Sequence, residues 1–356
     1  MSRMRPMKVL TPFSWLYGGA VTARNLFYDK DLFRVHRVKV PVISVGNLTA
    51  GGTGKTPLVG EIVRRLQGMN RRVGVISRGY GRRSQGPLIV SGRGSEIAPA
   101  GAGGDEAVMI AKQYPGLVVV VAEQRFAAAE IAVRELGADV LVMDDGYQHR
   151  ALDRDLNILV VDGRMDLQRE RLLPAGLRRE PLSALRRAQL IAVGKIGSPG
   201  EVSTVSGRLE RWTNAPVFAF RTRVTGIVDF RTGLNRELSP GTRAFVLSGI
   251  GDHAGFLATV RSAGADVVAD HDFGDHHRFT VEEVTTAITT ARQKGCAMVV
   301  TTEKDAVRLG AGKLGEHMNR NEFPFVVFRI RAEVFVGEEQ LNQSILRILE
   351  KGDAVC

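Results

Sequence analysis

The residues best equipped for chemistry lie in "VISVGNLTAGGTGKTPLV", positions 42 to 59. Gly54, Lys55 and Thr56 match the last three positions of the phosphate-binding pattern Gly-x-x-x-x-Gly-Lys-[Ser/Thr]. In that pattern successive backbone N–H groups wrap a β-phosphate, the lysine reaches the β- and γ-phosphates, and the hydroxyl binds Mg²⁺. Thr49 stands where the first glycine belongs, so the formal pattern fails by one residue. Gly51, Gly52 and Gly54 still give enough backbone freedom for a cradle built from Thr49, Ala50, Gly51, Gly52, Thr53, Gly54, Lys55 and Thr56. A related loop in dimeric ATPases carries a lysine just before the two glycines. That position is Ala50 here, which weighs against a partition or targeting ATPase.

A nucleotide site of this kind needs a carboxylate at the end of a buried strand to hold Mg²⁺ directly or through water. "VLVMDDGYQHR" supplies Asp144 and Asp145 at such a point, followed by His149. "GAGGDEAVM" places Asp105 and Glu106 after a flexible loop at the start of a helix. Asp105 reads either as a helix N-cap or as a base that takes a proton from an acceptor hydroxyl. "FGDHHRFT" adds Asp275, His276 and His277, a surface loop unless a second domain closes over the first. "RERLLPAGLRREPLSALRRA" crowds Arg169, Arg171, Arg178, Arg179, Arg186 and Arg187 around Pro174 and Gly176. Such a run is a solvated face, or a grip on a substrate phosphate, because arginine forks match phosphate oxygens.

The elements that must position these groups follow from the apolar runs. "VPVISVG", "RVGVIS", "LVVVVA", "DVLVMDD", "LNILVVD" and "LIAVG" alternate with helical stretches, as strands of a parallel α/β sheet do. The phosphate loop then falls between a strand at Val42–Val45 and a helix over Leu58–Leu66. A weaker series at 244–250, 265–270 and 297–302 predicts a second, smaller α/β domain. "PVFAFRTRVTGIVDFRTG" and "FPFVVFRIRAEVF" alternate similarly and are expected to pair as a two-stranded connection, with the boundary near 215 to 240. The expected organisation is an N-terminal region at 1–40, a phosphate-loop domain at 41–220, a smaller α/β domain with linker strands at 221–335, and a C-terminal helix at 336–356.

With 356 residues the chain is long enough for two cored domains, and its only cysteines, Cys296 and Cys356, imply neither a disulfide framework nor a zinc site. A net charge of +11 calls for an anionic partner: nucleic acid, membrane surface or phosphorylated substrate. Much of the excess lies at the N-terminus, in Arg3, Arg5, Lys8, Arg24, Lys30, Arg34, Arg37 and Lys39. Between Lys8 and Arg24 runs an uncharged, aromatic-bearing segment, broken by Pro12 and Gly18-Gly19 and too short to span a bilayer. Val9, Phe13, Leu16, Ala20 and Phe27 recur at helical spacing, which fits a helix lying in a membrane interface, a helix packed in a core, or a signal peptide. A cytosolic nucleotide site downstream argues against export.

Taken in order, "PVISVGNLTAGGTGKTP", "SRGYGR", "GDEA", "DDGYQH", "LLPAGLRREP", "SGIG", "DHH" and "TTEKDAVRL" resemble the tetraacyldisaccharide 4′-kinase family, the lipid A 4′-kinases of Gram-negative bacteria. The resemblance implies a P-loop kinase at the cytoplasmic face of the inner membrane. Its reaction would move the γ-phosphate of ATP, with Mg²⁺, to the 4′-hydroxyl of an acylated glucosamine disaccharide 1-phosphate. By the same likeness Lys55 and Thr56 handle phosphate and metal, Asp144 or Asp145 supports the metal, and Asp105 with His276 forms a proton-accepting dyad. Glu106 and His149 would share the site, and Glu180 would position substrate or metal. "SGIGDHAGF" departs from the Asn-Pro expected after "GIG". The chief alternative is a GTPase or metallochaperone switch, but "VGKIG" and "TEKD" both fail as its Asn-Lys-x-Asp base reader. A nucleic-acid partner rests on charge alone, with aromatics at 6% and no binding module, and no obligate protein partner is indicated.

Overall fold

The computed structural model describes residues 8–92 and 94–353. Arg3, Arg5 and Cys356 therefore lie outside the described residues. Twelve strands form one sheet in the order β10-β9-β11-β12-β8-β7-β6-β1-β5-β2-β4-β3. They are β1 (Val42–Asn47), β2 (Val73–Ser77), β3 (Leu88–Ser91), β4 (Val118–Val121), β5 (Val140–Asp144), β6 (Leu156–Asp162), β7 (Leu190–Gly194), β8 (Val217–Asp229), β9 (Arg243–Ser248), β10 (Asp266–Asp272), β11 (Met298–Thr302) and β12 (Phe325–Val336).

Strands β1, β5, β6 and β7 are buried along their whole length, as their unbroken Val, Ile and Leu runs require, and they pair in parallel. The helix Lys55–Gly68 covers one face, burying Leu58, Val59, Ile62, Val63 and Leu66 against β1 and its neighbours. The edge strand β3 pairs antiparallel with β4 and was not legible as a strand, being short and half-buried. A smaller parallel set, β10-β9-β11, carries its own cores on both faces.

The two sets meet in the antiparallel pair β8 and β12, the two-stranded connection expected from their alternation. Midway along it the strands shed their buried residues, and Glu333 answers Arg221 and Arg223 at 2.7 and 3.0 Å. The terminal helix Glu338–Asp353 returns to the first set, with Leu341, Ile345 and Ile348 buried in its core.

The helix Thr11–Asp29 docks through Ser14, Gly18 and Val21, not through its apolar stripe. Ser14 Oγ donates to Leu172 O at 3.0 Å and accepts from Ala175 N at 3.0 Å, and Tyr17 Oη donates to Arg179 O at 2.9 Å. A Cβ on Gly18 would come within 2.8 Å of Leu172 Cδ1, so glycine sets the closeness of this contact. The stripe faces outward: Trp15 and Leu16 are 73% and 74% exposed, and Val9, Phe13 and Phe27 are exposed beside them. A core-packing helix is thereby ruled out for that face. Among the described residues no helix is long and apolar enough to cross a membrane.

Candidate active site

Thr49 resolves the mismatch in the phosphate loop. It pairs its backbone with Arg178 in an antiparallel bridge, and Ala50 N donates to Leu177 O at 2.8 Å. Its φ is not positive, so this position belongs to an extended stem where glycine's freedom is not needed. The left-handed positions are Gly51 (φ 106°) and Gly54 (φ 87°), both glycine. Beyond Gly54 the helix starts at Lys55 without a side-chain cap, leaving its first N–H groups pointed at the cradle. Lys55 Nζ donates to Asn47 Oδ1 at 3.1 Å, and Asn47 Nδ2 donates to Thr53 Oγ1 at 3.1 Å. Asn47, at the end of β1, thus braces the loop. Only the β-strand before the loop hinted at such a role.

The loop forms one wall of a cleft of about 1070 Å³ that also exposes Tyr17, Glu106, Arg125, Asp144, Asp145, His149, Arg179, His276 and Lys304. The two aspartates differ in kind. Asp145 has a φ of 50° just past β5 and is paired with Arg179 at 2.9 Å and Lys55 at 3.4 Å. Burial alone would raise its carboxyl, but Lys55 and Arg179 outweigh burial and hold it below the usual carboxylate range. Asp144 is buried, and its Oδ1 has no hydrogen-bond partner. Burial, with Glu106 and Asp145 nearby, pushes its carboxyl up to about 7. An orphaned buried carboxylate oxygen beside a phosphate cradle and Thr56 fits a divalent cation. Among the described residues no cluster of three or more His, Cys, Asp or Glu forms a ready cage. That suits Mg²⁺, which takes one or two carboxylates and completes its shell with phosphate oxygens and water.

Across the cleft stand groups from the small sheet. The two histidines are placed differently: His277 Nε2 lies 2.9 Å from Glu283 and its ring stacks on Phe273, whereas His276 lines the cleft. His276 has a φ of 60° and carries Tyr80 against its ring at 4.6 Å. Its Nδ1 lies 3.7 Å from Asp105 Oδ2. Asp105 starts the helix Asp105–Gln113 but caps nothing with its side chain, and it stands behind His276 rather than lining the cleft. Burial would raise its carboxyl, but His276 and Arg308 together hold it down. Glu106 is bound to Lys304 Nζ at 2.8 Å, so it meets a cation already supplied by the protein.

His149 lines the cleft, and burial followed by the charges of Arg125, Arg154 and Arg24 lowers it to about 4, leaving a neutral ring. Arg178 and Glu180 are not brought to the cleft. Arg178 Nε donates to Glu170 O at 2.7 Å, its chain direction being fixed by the bridge to Thr49. Glu180 is fully buried and accepts from Arg187 at 2.8 Å and Asn25 at 2.9 Å, tying the N-terminal helix down. Of the arginine-rich run, Arg179 alone lines the cleft. Arg78, from "SRGYGR", Arg125, Arg164 and Lys195 line it as well.

The family described as Tetraacyldisaccharide-1-P 4'-kinase matches residues 7–350. A tetraacyldisaccharide 4'-kinase of Anaeromyxobacter sp. (strain Fw109-5) is 40% identical over 345 residues, spanning 96% of this chain and 91% of the relative. That of Chlorobium limicola is 34% identical over 347 residues, spanning 96% and 97%. The crystal structure of the "apo" form of LpxK from Aquifex aeolicus in complex with ATP superposes with a TM-score of 0.75 at 33% identity, covering 96% of this chain and 98% of that one. These likenesses run through nearly the whole chain and decide against a GTPase switch. The chain belongs to the tetraacyldisaccharide-1-P 4'-kinase family.

Proposed function

We propose that the protein transfers the γ-phosphate of ATP to the 4′-hydroxyl of an acylated glucosamine disaccharide 1-phosphate at the cytoplasmic face of the bacterial inner membrane. The observation that carries this reading is the opposition of two sets of groups across one cleft: the phosphate loop with Asp144, and His276 backed by Asp105. Lys55 and the backbone from Thr49 to Thr56 bind the β- and γ-phosphates. Thr56 and Asp144 would hold Mg²⁺, which when bound would supply positive charge to neutralise the transferring group. Asp145 keeps Lys55 and Arg179 aimed inward.

As the acceptor oxygen bonds to the γ-phosphorus, the bond to the β–γ bridging oxygen breaks and ADP leaves. The hydroxyl proton passes to the pair formed by His276 and Asp105. Neutral His149 and the Arg125 and Arg179 guanidiniums face the acceptor side and hold its sugar and phosphate oxygens. The division at 41–220 and 221–335 is functional in this view, with the nucleotide on the first part and the proton acceptor reached through the second. Tyr17 lines the cleft on the same helix that carries the exposed stripe, which supports an acceptor still embedded by its acyl chains meeting the site at the membrane surface. No nucleic acid or obligate protein partner enters the scheme.

The test is transfer of ³²P from Mg-ATP to a detergent-solubilised tetraacylated disaccharide 1-phosphate by purified protein. Labelled lipid is expected. Hydrolysis of nucleotide with no labelled lipid, or a clear preference for GTP, would overturn the reading.

A further inference from the structure

The segment "TTEKDAVRL" carries a residue that the scheme above leaves without a task. Arg308 sits on the helix Glu303–Leu309 of the small sheet and is 8% exposed. Its Nε donates to Asp105 Oδ2 at 2.5 Å, and its Nη2 lies 3.4 Å from His276 Nδ1. Its Nη1 donates to Gly249 O at 2.8 Å and to Asp305 Oδ1 at 2.9 Å. The same Gly249 O accepts the backbone N–H of His276 at 3.1 Å.

One rigid guanidinium therefore touches the side chain of Asp105, the ring of His276 and the carbonyl that holds His276 in its left-handed backbone conformation. The guanidinium is itself fixed. Asp305 is fully buried and accepts from Gly249 N at 3.1 Å and Thr302 Oγ1 at 2.7 Å, so it offers Arg308 a carboxylate in one orientation. Asp105 starts the helix Asp105–Gln113 and His276 lies in the loop after β10, 171 positions apart by number (276 − 105), with no backbone element in common. Their 3.7 Å approach is too long for a hydrogen bond to set it unaided.

Resting on the dyad reading, we infer that Arg308 is the positioning residue of the proton-accepting pair, setting the distance between Asp105 and His276 from the small sheet. Asp305 in turn orients Arg308. Lysine cannot replace it fully, because a point charge lacks the fork that spans three acceptors at once.

The experiment is a double-mutant cycle on the full chain, with D105N, R308Q, R308K and D105N/R308Q assayed for transfer to the lipid acceptor. A positioning role predicts that R308Q lowers kcat by about 10²-fold, the scale of a misplaced reacting group. The KM for ATP should stay within about twofold, because the nucleotide contacts are untouched. R308K should recover part of the loss. In the D105N background R308Q should cost less than about threefold more, since residues that act as a unit are not additive. Thermal melting and nucleotide-analogue binding check the fold of each variant, and R308K carries the same comparison should R308Q not fold. Penalties that multiply in the double variant, or a raised KM with kcat intact, would overturn the inference while leaving the dyad standing. Wild-type turnover in D105N would instead sink the dyad itself.

Discussion

Lys195 Nζ lies 2.5 Å from Asp252 Oδ2, joining the end of β7 to the start of the helix His253–Ser262 on the small sheet. The same ammonium donates to the carbonyl of Gly52 in the phosphate loop, and Arg164 adds a second cation 3.3 Å from Asp252. Charge pairing thus binds the small sheet to the loop that cradles phosphate, at the position where "SGIGDH" departs from the expected Asn-Pro.

Asp252→Asn isolates the charge, because asparagine caps the helix as well as the aspartate that now accepts from Gly255 N. A partly buried pair of this kind contributes about 1 kcal/mol, so kcat/KM for ATP should fall on the order of fivefold. The salt sensitivity of kcat/KM should flatten in the variant, since the screened pair is gone. Steady-state rates between low and high ionic strength measure both effects.

Asp144 gives a pH prediction. With its carboxyl raised to about 7, chiefly by burial and then by Glu106 and Asp145, it is largely protonated at pH 6 and ionised at pH 8. A proton and Mg²⁺ compete for it, so metal affinity should rise with pH through about 7 and level off above, with proton release on binding. Lys55, which lowers the carboxyl, keeps the step from moving higher. Calorimetric titration of Mg²⁺ with a non-hydrolysable ATP analogue in buffers of different ionisation enthalpy reads both the affinity and the proton. Asp144→Asn should remove the pH dependence together with most of the turnover.

Two loop substitutions separate pattern from physics. Thr49→Gly, which restores the formal motif, should leave nucleotide affinity unchanged and cost about 1 kcal/mol of stability through lost burial and added backbone freedom. Gly54→Ala should weaken ATP binding by more than tenfold, because φ is 87° there and the new Cβ would sit 3.3 Å from the Phe220 ring. Fluorescent-nucleotide titration and thermal melts distinguish the two.

The outward stripe of the N-terminal helix predicts a surface phenotype. Trp15→Glu with Leu16→Glu should abolish sedimentation with anionic phospholipid vesicles while leaving the fold intact, since both side chains are largely exposed. Gly18→Leu acts differently: it clashes with Leu172 and should undock the helix, lowering stability without lowering vesicle binding. Co-sedimentation and melting of the three proteins provide the comparison.

The parallel sheet, the loop's place between β1 and its helix, and the paired strands β8 and β12 were legible in the order of residues alone. Those features are local: an unbroken Val/Ile/Leu run means a strand buried on both faces, and three glycines mean a turn with freedom to wrap a phosphate. The order of residues also brought Asp105, Asp144, Asp145, His149 and His276 forward, because a carboxylate or imidazole at a strand end or glycine-rich loop is conspicuous.

What it left open was which of these share one cleft. Asp144 and Asp145 are neighbours of identical chemistry until Lys55 and Arg179 are seen to form their ion pairs with the second. His276 and His277 are equivalent in the chain until a left-handed residue sends one ring to Tyr80 and Asp105 and the other to Glu283. Arg178 and Glu180 fit a phosphate grip by type, yet one braces Thr49 and the other is sealed under the N-terminal helix. Asn47, Lys195, Asp252 and Arg308 act through partners that the chain delivers from far away, and no spacing records them. These placements emerge from the folded chain, because charge neutralisation and burial depend on distances across the fold, which the order of residues along the chain does not fix.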